Sequence, residues 1–177
     1  SNPVAVSTSS DYTIAVTFNQ DSDDISIIDA ETLEVTTVAV RDNFNTIKMS
    51  PDGHWVICWH DQASPDDGAQ QDGTQSFNEV SLVNIVEARH FPMVVGFNPR
   101  DVQFTDGSSM AVIVSDAYLA LVDLTDSTPS PERIQVADDL IDPPEAEEVV
   151  IAPDGTFAFV RQFGATELTL VDLVDGN

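Results

Sequence analysis

The stretch Met49–His60, MSPDGHWVICWH, has a near copy at Ile151–Phe163, IAPDGTFAFVRQF. In both, a Pro-Asp-Gly turn precedes an apolar run. Glycine readily adopts the positive φ that tight hairpin turns require, and aspartate tolerates or caps such turns. The recurrence therefore predicts one structural unit that is built more than once along the chain.

Aligned on this turn, the chain contains four copies of the unit. The first copy, VAVSTSSDYTIAVTFNQDSDDISIIDA, is the most degenerate, with Ser10-Asp11 where the others have Asp-Gly. The turn dipeptides of the other three are Asp52-Gly53, Asp106-Gly107 and Asp154-Gly155.

Each copy follows the same order of segments. A short alternating segment precedes the turn, and a second segment rich in β-branched and aromatic residues follows it, which predicts two strands of a hairpin. A third segment ends in Asp or Asn, and a fourth segment follows in the first three copies. The recurring residues are Asp29, Asn84, Asp123 and Asp172. Their recurrence predicts a structural role, in which the side chain accepts hydrogen bonds from the next turn.

A repeat built from four antiparallel strands, without helical periodicity, predicts an all-β protein with a β-propeller fold. We expect one domain, 1–177, with about four blades of four-stranded meanders at 2–40, 41–95, 96–137 and 138–177. The pattern SPDG…VSLVN/VDL resembles the YVTN-type propeller repeats of bacterial surface and periplasmic proteins. It is also similar to lactonase-like and WD40-like propellers. The resemblance implies a periplasmic or extracellular bacterial protein.

The predicted strand count is four, four, four and three, which is small for a closed propeller. Three interpretations stay open: a partial ring (half-propeller) of a longer protein, a small four-bladed ring, or two chains that together form an eight-bladed ring. Open blade faces and strand edges self-associate, so a homodimer through these faces is predicted for the chain.

The chain has a formal charge of −25, from 31 acids and 6 bases. Such a field repels phosphate backbones and anionic membrane surfaces, which argues against nucleic-acid binding. No apolar run is long enough to span a membrane. No signal peptide is visible at Ser1-Asn2. A solvated acidic surface and cation binding both explain the charge.

The largest predicted loop, His60–Asn78, contains Asp61, Asp66, Asp67 and Asp72 together with Gly68 and Gly73. Hard cations prefer several oxygen ligands, so the loop is a candidate Ca²⁺ site. The spacing is not that of an EF-hand loop. A plain flexible insertion and a partner-binding loop are the alternatives.

The connections between blades are expected at the same end as this loop. Arg41 and Asn45 lie in the first connection, and Arg100 and Asp101 lie at the end of the second. These residues could grip a ligand at the channel mouth. The alternative is that the arginines pair with neighbouring acids such as Asp42 and Asp101.

No catalytic residue is assigned from the sequence. Cys58 lies in an apolar run, which indicates a buried small hydrophobe, although His60 shares its strand face if the segment is extended. The histidines His54, His60 and His90 do not have metal-ligand spacing.

The sequence favours a non-catalytic binding or scaffold module of a larger exported protein, which recognises a protein or ligand through its loop face. A lactonase-like or dehydrogenase-like enzyme fragment is the first alternative. A calcium-dependent surface or adhesion module is the second.

Overall fold

The computed structural model describes residues 2–62, 77–140, 144, 146–164 and 166–174. The side chains of Ala146 and Glu147 are also outside the description. These residues form fifteen strands, arranged as four antiparallel meanders that we call sheets 1 to 4. Within the described part of the chain, no helix has the length and hydropathy needed to cross a membrane.

Three of the sheets have four strands each. Sheet 1 contains β1 (Pro3–Thr8), β2 (Ile14–Asn19), β3 (Asp24–Asp29) and β4 (Val35–Ala39). Sheet 2 contains β5 (Thr46–Met49), β6 (Trp55–Trp59), β7 (Glu79–Asn84) and β8 (Arg89–Val94). Sheet 3 contains β9 (Asp101–Phe104), β10 (Met110–Val114), β11 (Tyr118–Asp123) and β12 (Pro131–Gln135). The expected all-β class and the meander order are confirmed.

Sheet 4 has three strands in the described residues. They are β13 (Ala146–Ile151), β14 (Phe157–Gln162) and β15 (Thr169–Asp172). The chain divides into two compact units, Ser1–Met93 and Val94–Asn177. The first unit holds sheets 1 and 2, and the second holds sheets 3 and 4.

Each unit has its own apolar core between its two sheets. In the first unit, Val16 and Phe18 of β2 belong to a buried cluster with Val56 and Cys58 of β6. In the second unit, a cluster of the same kind joins β10 and β14. Because side chains alternate along a strand, each of these second strands offers one face to the neighbouring sheet.

The turn between the first and second strands has the same length in all four sheets. Its fourth residue has a positive φ in every case: Tyr12 (62°), Gly53 (74°), Ser108 (57°) and Gly155 (72°). The backbone N–H of this residue donates to the carbonyl at the turn's first position, Ser9, Ser50, Thr105 or Ala152 respectively.

This geometry corrects the sequence alignment of two turns. In sheet 1 the Asp-Gly position is taken by Asp11-Tyr12, not by Ser10-Asp11. Asp11 accepts from the Thr13 N–H at 3.1 Å, as Asp52 accepts from the His54 N–H at 3.1 Å. In sheet 3 Gly107 takes the aspartate position and Ser108 the glycine position. All four turns share the same hydrogen bond, whereas the Asp-Gly dipeptide occupies different positions within them.

The residue that ends each third strand caps the following turn, as predicted. Asp29 accepts from the backbone N–H groups of Glu31 and Thr32 at 2.9 and 2.8 Å. Asn84, Asp123 and Asp172 accept in the same way from Glu87, Thr125 and Val174. In Asp123, the hydrogen bonds from the Thr125 side chain and backbone stabilise the carboxylate and lower its pKa.

Candidate functional site

We call one end of the sheets the loop end, because it carries the loops between the second and third strands and the connections between sheets. In the first unit these two kinds of segment are hydrogen-bonded together. The Val40 N–H donates to the Asp23 carbonyl at 2.9 Å. The His60 imidazole Nδ1 lies 2.9 Å from the Asn43 carbonyl oxygen. The sequence prediction that loops and connections share one end therefore holds within this unit.

Asn45 joins the connection between sheets 1 and 2 to the loop that follows β6. Its amide donates to the Asp61 carbonyl at 2.9 Å, and its oxygen accepts from the Asp61 N–H at 2.8 Å. The side chain is buried, so both of its polar groups act inside the protein. Asn45 is thus a positioning residue for the start of the long loop.

Arg41 is held by an acid on the neighbouring strand. Its Nη1 lies 3.4 Å from Glu79 Oε2, and its backbone N–H donates to Ser81 Oγ at 3.4 Å. The pairing with an acid was one of the two predictions for this arginine. The acid that the structure shows is Glu79, at the start of β7, rather than the adjacent Asp42.

A serine and a histidine meet beside this ion pair. Ser81 Oγ lies 2.8 Å from His90 Nε2, a distance suited to a nucleophile and its base. Ser81 is fully buried, however, so a substrate does not reach its oxygen. Burial lowers the pKa of His90, and the positive charge of Arg41 lowers it further. The sequence did not indicate this pair, because the two residues lie on different strands.

In the second unit Arg100 is also held by an acid. Its Nε lies 2.8 Å from Asp116 Oδ1, and the Asn98 amide donates to the two carboxylate oxygens at 3.3 and 3.0 Å. Asp116 and Asn98 are buried. Asp101, the remaining predicted residue of this connection, accepts from the Gln103 amide at 3.1 Å.

The structural counterpart of Arg100 is Asn45, not Arg41. The backbone N–H of Asn45 donates to Trp59, and that of Arg100 donates to Val114, the last residue of the equivalent strand. Arg41 lies four residues earlier in the chain. The two arginines belong to different compact units, and each one is neutralised within its own unit.

Carboxylates crowd together at the loop end of the first unit. Burial raises the pKa of Asp23, and the negative charges of Asp42 and Asp24 raise it further. A hydrogen bond from the Asn43 backbone acts in the opposite direction. Asp42 is exposed, while Asp23 and Asp24 are half-buried. Three carboxylates therefore lie close together at this end of the first unit.

The predicted calcium loop lies mostly outside the described residues. Asp66, Asp67 and Asp72 fall there, and Asp61 is described mainly through its backbone hydrogen bonds to Asn45. Among the described residues, no group of three or more His, Cys, Asp or Glu side chains is arranged to hold a metal ion. The calcium site stays a prediction.

Cys58 and His60 have separate environments. Cys58 is fully buried in the core of the first unit, and this burial strongly raises the pKa of its thiol. His60 contacts the Phe77 ring, with centroids 5.5 Å apart. A thiol that stays protonated is a poor nucleophile, so Cys58 acts as a core residue.

No protein-family model matches the chain. A search of curated proteins finds no match either. Solved structures do match over nearly the whole chain. They include hydrazine synthase from Kuenenia stuttgartiensis, with 20% identity, a TM-score of 0.64, and coverage of 99% of this chain and 47% of that one.

Two further matches come from other proteins. The dihydro-heme d1 dehydrogenase NirN has 16% identity and a TM-score of 0.63, with coverage of 97% of this chain and 35% of that one. The β-propeller domain of Cps50 (Swd1) from Myceliophteria thermophila has 12% identity and a TM-score of 0.64, with coverage of 99% and 54%. This chain thus spans about half the length of these structures, or less.

The chain has a β-propeller fold. The likeness to these propellers, together with the four meanders, confirms that part of the sequence prediction. At such low identities the likeness carries the fold alone, since one propeller fold supports many functions. The narrower resemblance to YVTN-type repeats stays a prediction.

Proposed function

We propose that this chain is a non-catalytic interaction module, and that it binds a positively charged segment of a partner protein or ligand at the loop end of its first unit. The observation that carries the proposal is the crowding of Asp23, Asp24 and Asp42. The charges of Asp42 and Asp24 disfavour ionisation of Asp23, so an incoming cation relieves this repulsion as well as forming an ion pair.

The surrounding structure supports recognition rather than catalysis. The hydrogen bonds of Asn45 and His60 join the connection between sheets 1 and 2 to Asp61 and the end of β6, which lowers the ordering cost of binding at these residues. Arg41 and Arg100 are each paired with an acid, which weakens the support for a site where they would bind an anion or a substrate. A periplasmic or extracellular location remains part of this proposal, since it comes from the resemblance to exported repeats.

The test compares two substitutions that each remove one negative charge. Asp42→Asn changes the crowded loop end, whereas Glu31→Gln changes an exposed turn at the opposite end of sheet 1. The probe is a ten-residue oligolysine peptide, with oligoglutamate as the negative control, and binding is followed by calorimetry at low salt. We expect Asp42→Asn to weaken oligolysine binding about fivefold, from about 1 kcal/mol of lost attraction. Glu31→Gln should leave it unchanged.

An equal loss of affinity in both variants would show that oligolysine binding depends only on the net charge of the protein. The proposed site would then be wrong. A second readout confirms the crowding itself. Asp42→Asn removes a like charge, so the pKa of Asp23 should fall in a carbon-detected titration, while Glu31→Gln should leave that pKa in place.

A further inference from the structure

The exposed face of sheet 4 is apolar across all three of its described strands. Val150, Phe159 and Leu170 lie opposite one another in the register of β13, β14 and β15. Their exposed fractions are 54%, 48% and 56%. Phe157, two residues before Phe159, is 41% exposed on the same face. A continuous apolar patch of this kind on a sheet marks an interaction surface.

Packing inside each unit shows what kind of surface covers such a face. The residues of each second strand are counted here from the turn. Within each unit, the odd positions of the first sheet and the even positions of the second sheet face each other. In the first unit the odd residues Val16 and Phe18 pack against the even residues Val56 and Cys58. In the second unit Val112 and Val114 pack in the same way against Ala158 and Val160.

We call these the odd face and the even face of a sheet. Within each unit, the odd face of one sheet packs on the even face of the next. Phe157 and Phe159 occupy odd positions, which makes the exposed patch of sheet 4 an odd face. By the same packing, the even face of another such sheet is the surface expected to cover it.

The even face of sheet 1 has this character. Its second strand contributes Ala15 and Thr17, both half-buried. Thr17 lies in register between Val6 and Ser26, and Val6 is 70% exposed. The face also carries Ile28 and Val35, which lie in register with Ala15, and Val35 is 59% exposed. Both faces therefore carry exposed apolar side chains.

Both faces also carry charged side chains at their loop end. Arg161 lies on the odd face of sheet 4, 3.5 Å from Glu148, and both side chains are exposed. Asp24 lies on the even face of sheet 1, where it accepts a hydrogen bond from Asn19 at 2.7 Å. Stacking the two sheets with their loop ends aligned brings the guanidinium toward this acid.

We propose that the chain associates with a second copy of itself, with the odd face of sheet 4 in one copy packed on the even face of sheet 1 in the other. The contact is heterologous, because it uses two different faces. It extends the sheet-on-sheet packing found within each unit across two molecules. The proposal shares Asp24 with the loop-end function, but it uses neither Asp42 nor Asp23, and the substitutions that test it lie at other residues.

The first measurement is the absolute mass in solution by light scattering, across protein and NaCl concentrations. We expect a mass above the 19.1 kDa of one chain, rising with protein concentration and reaching twice that value if a pair closes on itself. Added salt should favour association, because it screens the repulsion between two copies of charge −25. A monomer at all concentrations and salt levels would overturn the proposal.

Three variants that each add one negative charge identify the faces. Phe159→Glu alters the odd face of sheet 4, and Thr17→Glu alters the even face of sheet 1. Val86→Glu, at an exposed turn residue, is the matched control. We expect the first two to weaken self-association about tenfold or more, and the control to leave it unchanged. The fluorescence of the buried Trp55 and Trp59 reports whether each variant is folded.

A mixture of Phe159→Glu and Thr17→Glu then distinguishes heterologous pairing from pairing of like faces. Each variant keeps the face that the other has lost, so the mixture should form a complex that neither forms alone. Were sheet 4 to pair with sheet 4 instead, Thr17→Glu would associate by itself and mixing would restore nothing. That result, or equal association of all three variants, would overturn the proposal.

Discussion

At the residue scale, the repeated turn requires a backbone conformation that is unfavourable for residues other than glycine. The fourth turn position has a positive φ in all four sheets, and glycine occupies it only at Gly53 and Gly155. Tyr12 and Ser108 adopt the left-handed conformation with a side chain, which costs about 1–2 kcal/mol. The turn is thus determined by its hydrogen bonds and by the strands on either side, and the residue conforms to it.

Replacing Tyr12 by glycine should therefore stabilise the protein. The ring is 76% exposed, so its removal costs little packing. After subtracting the larger chain entropy of unfolded glycine, we expect a gain of about 0.5–1 kcal/mol in the free energy of unfolding. Urea unfolding followed by tryptophan fluorescence measures it. Tyr12→Ala removes the same ring but keeps the strained φ, so it should show no such gain. Equal stabilities for the two variants would contradict the strain argument.

His90 should make the stability of the protein depend on pH. Burial and the charge of Arg41 lower its pKa below the ordinary value of about 6.5. The unfolded chain then binds a proton more readily than the folded one. The free energy of unfolding is highest above about pH 6.5, and falls as the pH drops from there toward the folded-state pKa.

The measurement is a series of urea unfolding curves between pH 5 and 8 for the wild type and His90→Gln. We expect the slope in this range to be smaller in His90→Gln, since the variant has no imidazole to protonate. His54→Gln, at an exposed turn, is the control and should retain the His90 contribution. An unchanged slope in His90→Gln would show that other groups determine the pH dependence.

At the scale of the element, neighbouring turns pack closely within each unit. A Cβ added at Gly53 would lie 2.8 Å from the Cβ of Ser9 in the sheet 1 turn. In the second unit, a Cβ at Gly155 would lie 2.7 Å from Thr105 Cγ2. Backbone hydrogen bonding adds to the second contact, because the Asp106 N–H donates to the Pro153 carbonyl at 3.1 Å. The turns therefore help to fix how one sheet stacks on the next.

Gly53→Ala should thus be costlier than an alanine substitution without such a neighbour. Gly164 is the matched control: its φ of 74° equals that of Gly53, and no atom of the described residues lies within 4 Å of its added Cβ. We expect Gly164→Ala to lose about 1 kcal/mol from φ strain alone. Gly53→Ala should lose about 1–3 kcal/mol more from overpacking. Similar losses in urea unfolding would mean that the turn contact adjusts without cost.

The sequence predicted the elements better than it predicted their alignment. Alternation and turn chemistry were enough to define four meanders, because each strand buries one face and each turn has a geometric requirement. The Asp-Gly dipeptide was a less reliable marker, since Asp106-Gly107 is displaced by one position and Asp11-Tyr12 lacks the glycine. Backbone hydrogen bonds, which the sequence does not display, decide the register of a turn.

At the scale of the whole molecule, the sequence predicted the overall acidity but not which acids pair with the arginines. The sequence indicated that Arg41 and Arg100 pair with acids, but it pointed to their chain neighbours. The acids that the structure provides lie farther along the chain: Glu79 begins β7, and Asp116 lies in the turn between β10 and β11. Long-range pairing of this kind depends on strand order and register, so a sequence pattern limits it only weakly. The acidic character of the surface, in contrast, follows directly from composition.

That acidity leads to a prediction for the molecule as a whole. A charge of −25 on 177 residues makes the folded state repel itself, and this repulsion is partly relieved when the chain expands. Salt screens it, since the Debye length falls from about 30 Å at 0.01 M to about 10 Å at 0.1 M. We therefore expect Tm to rise over this range in NaCl, measured on dilute protein by calorimetry. The increase should appear equally in Phe159→Glu, which separates it from salt-driven association. A Tm that rises only in the wild type would assign the effect to the contact between copies, and not to repulsion within one chain.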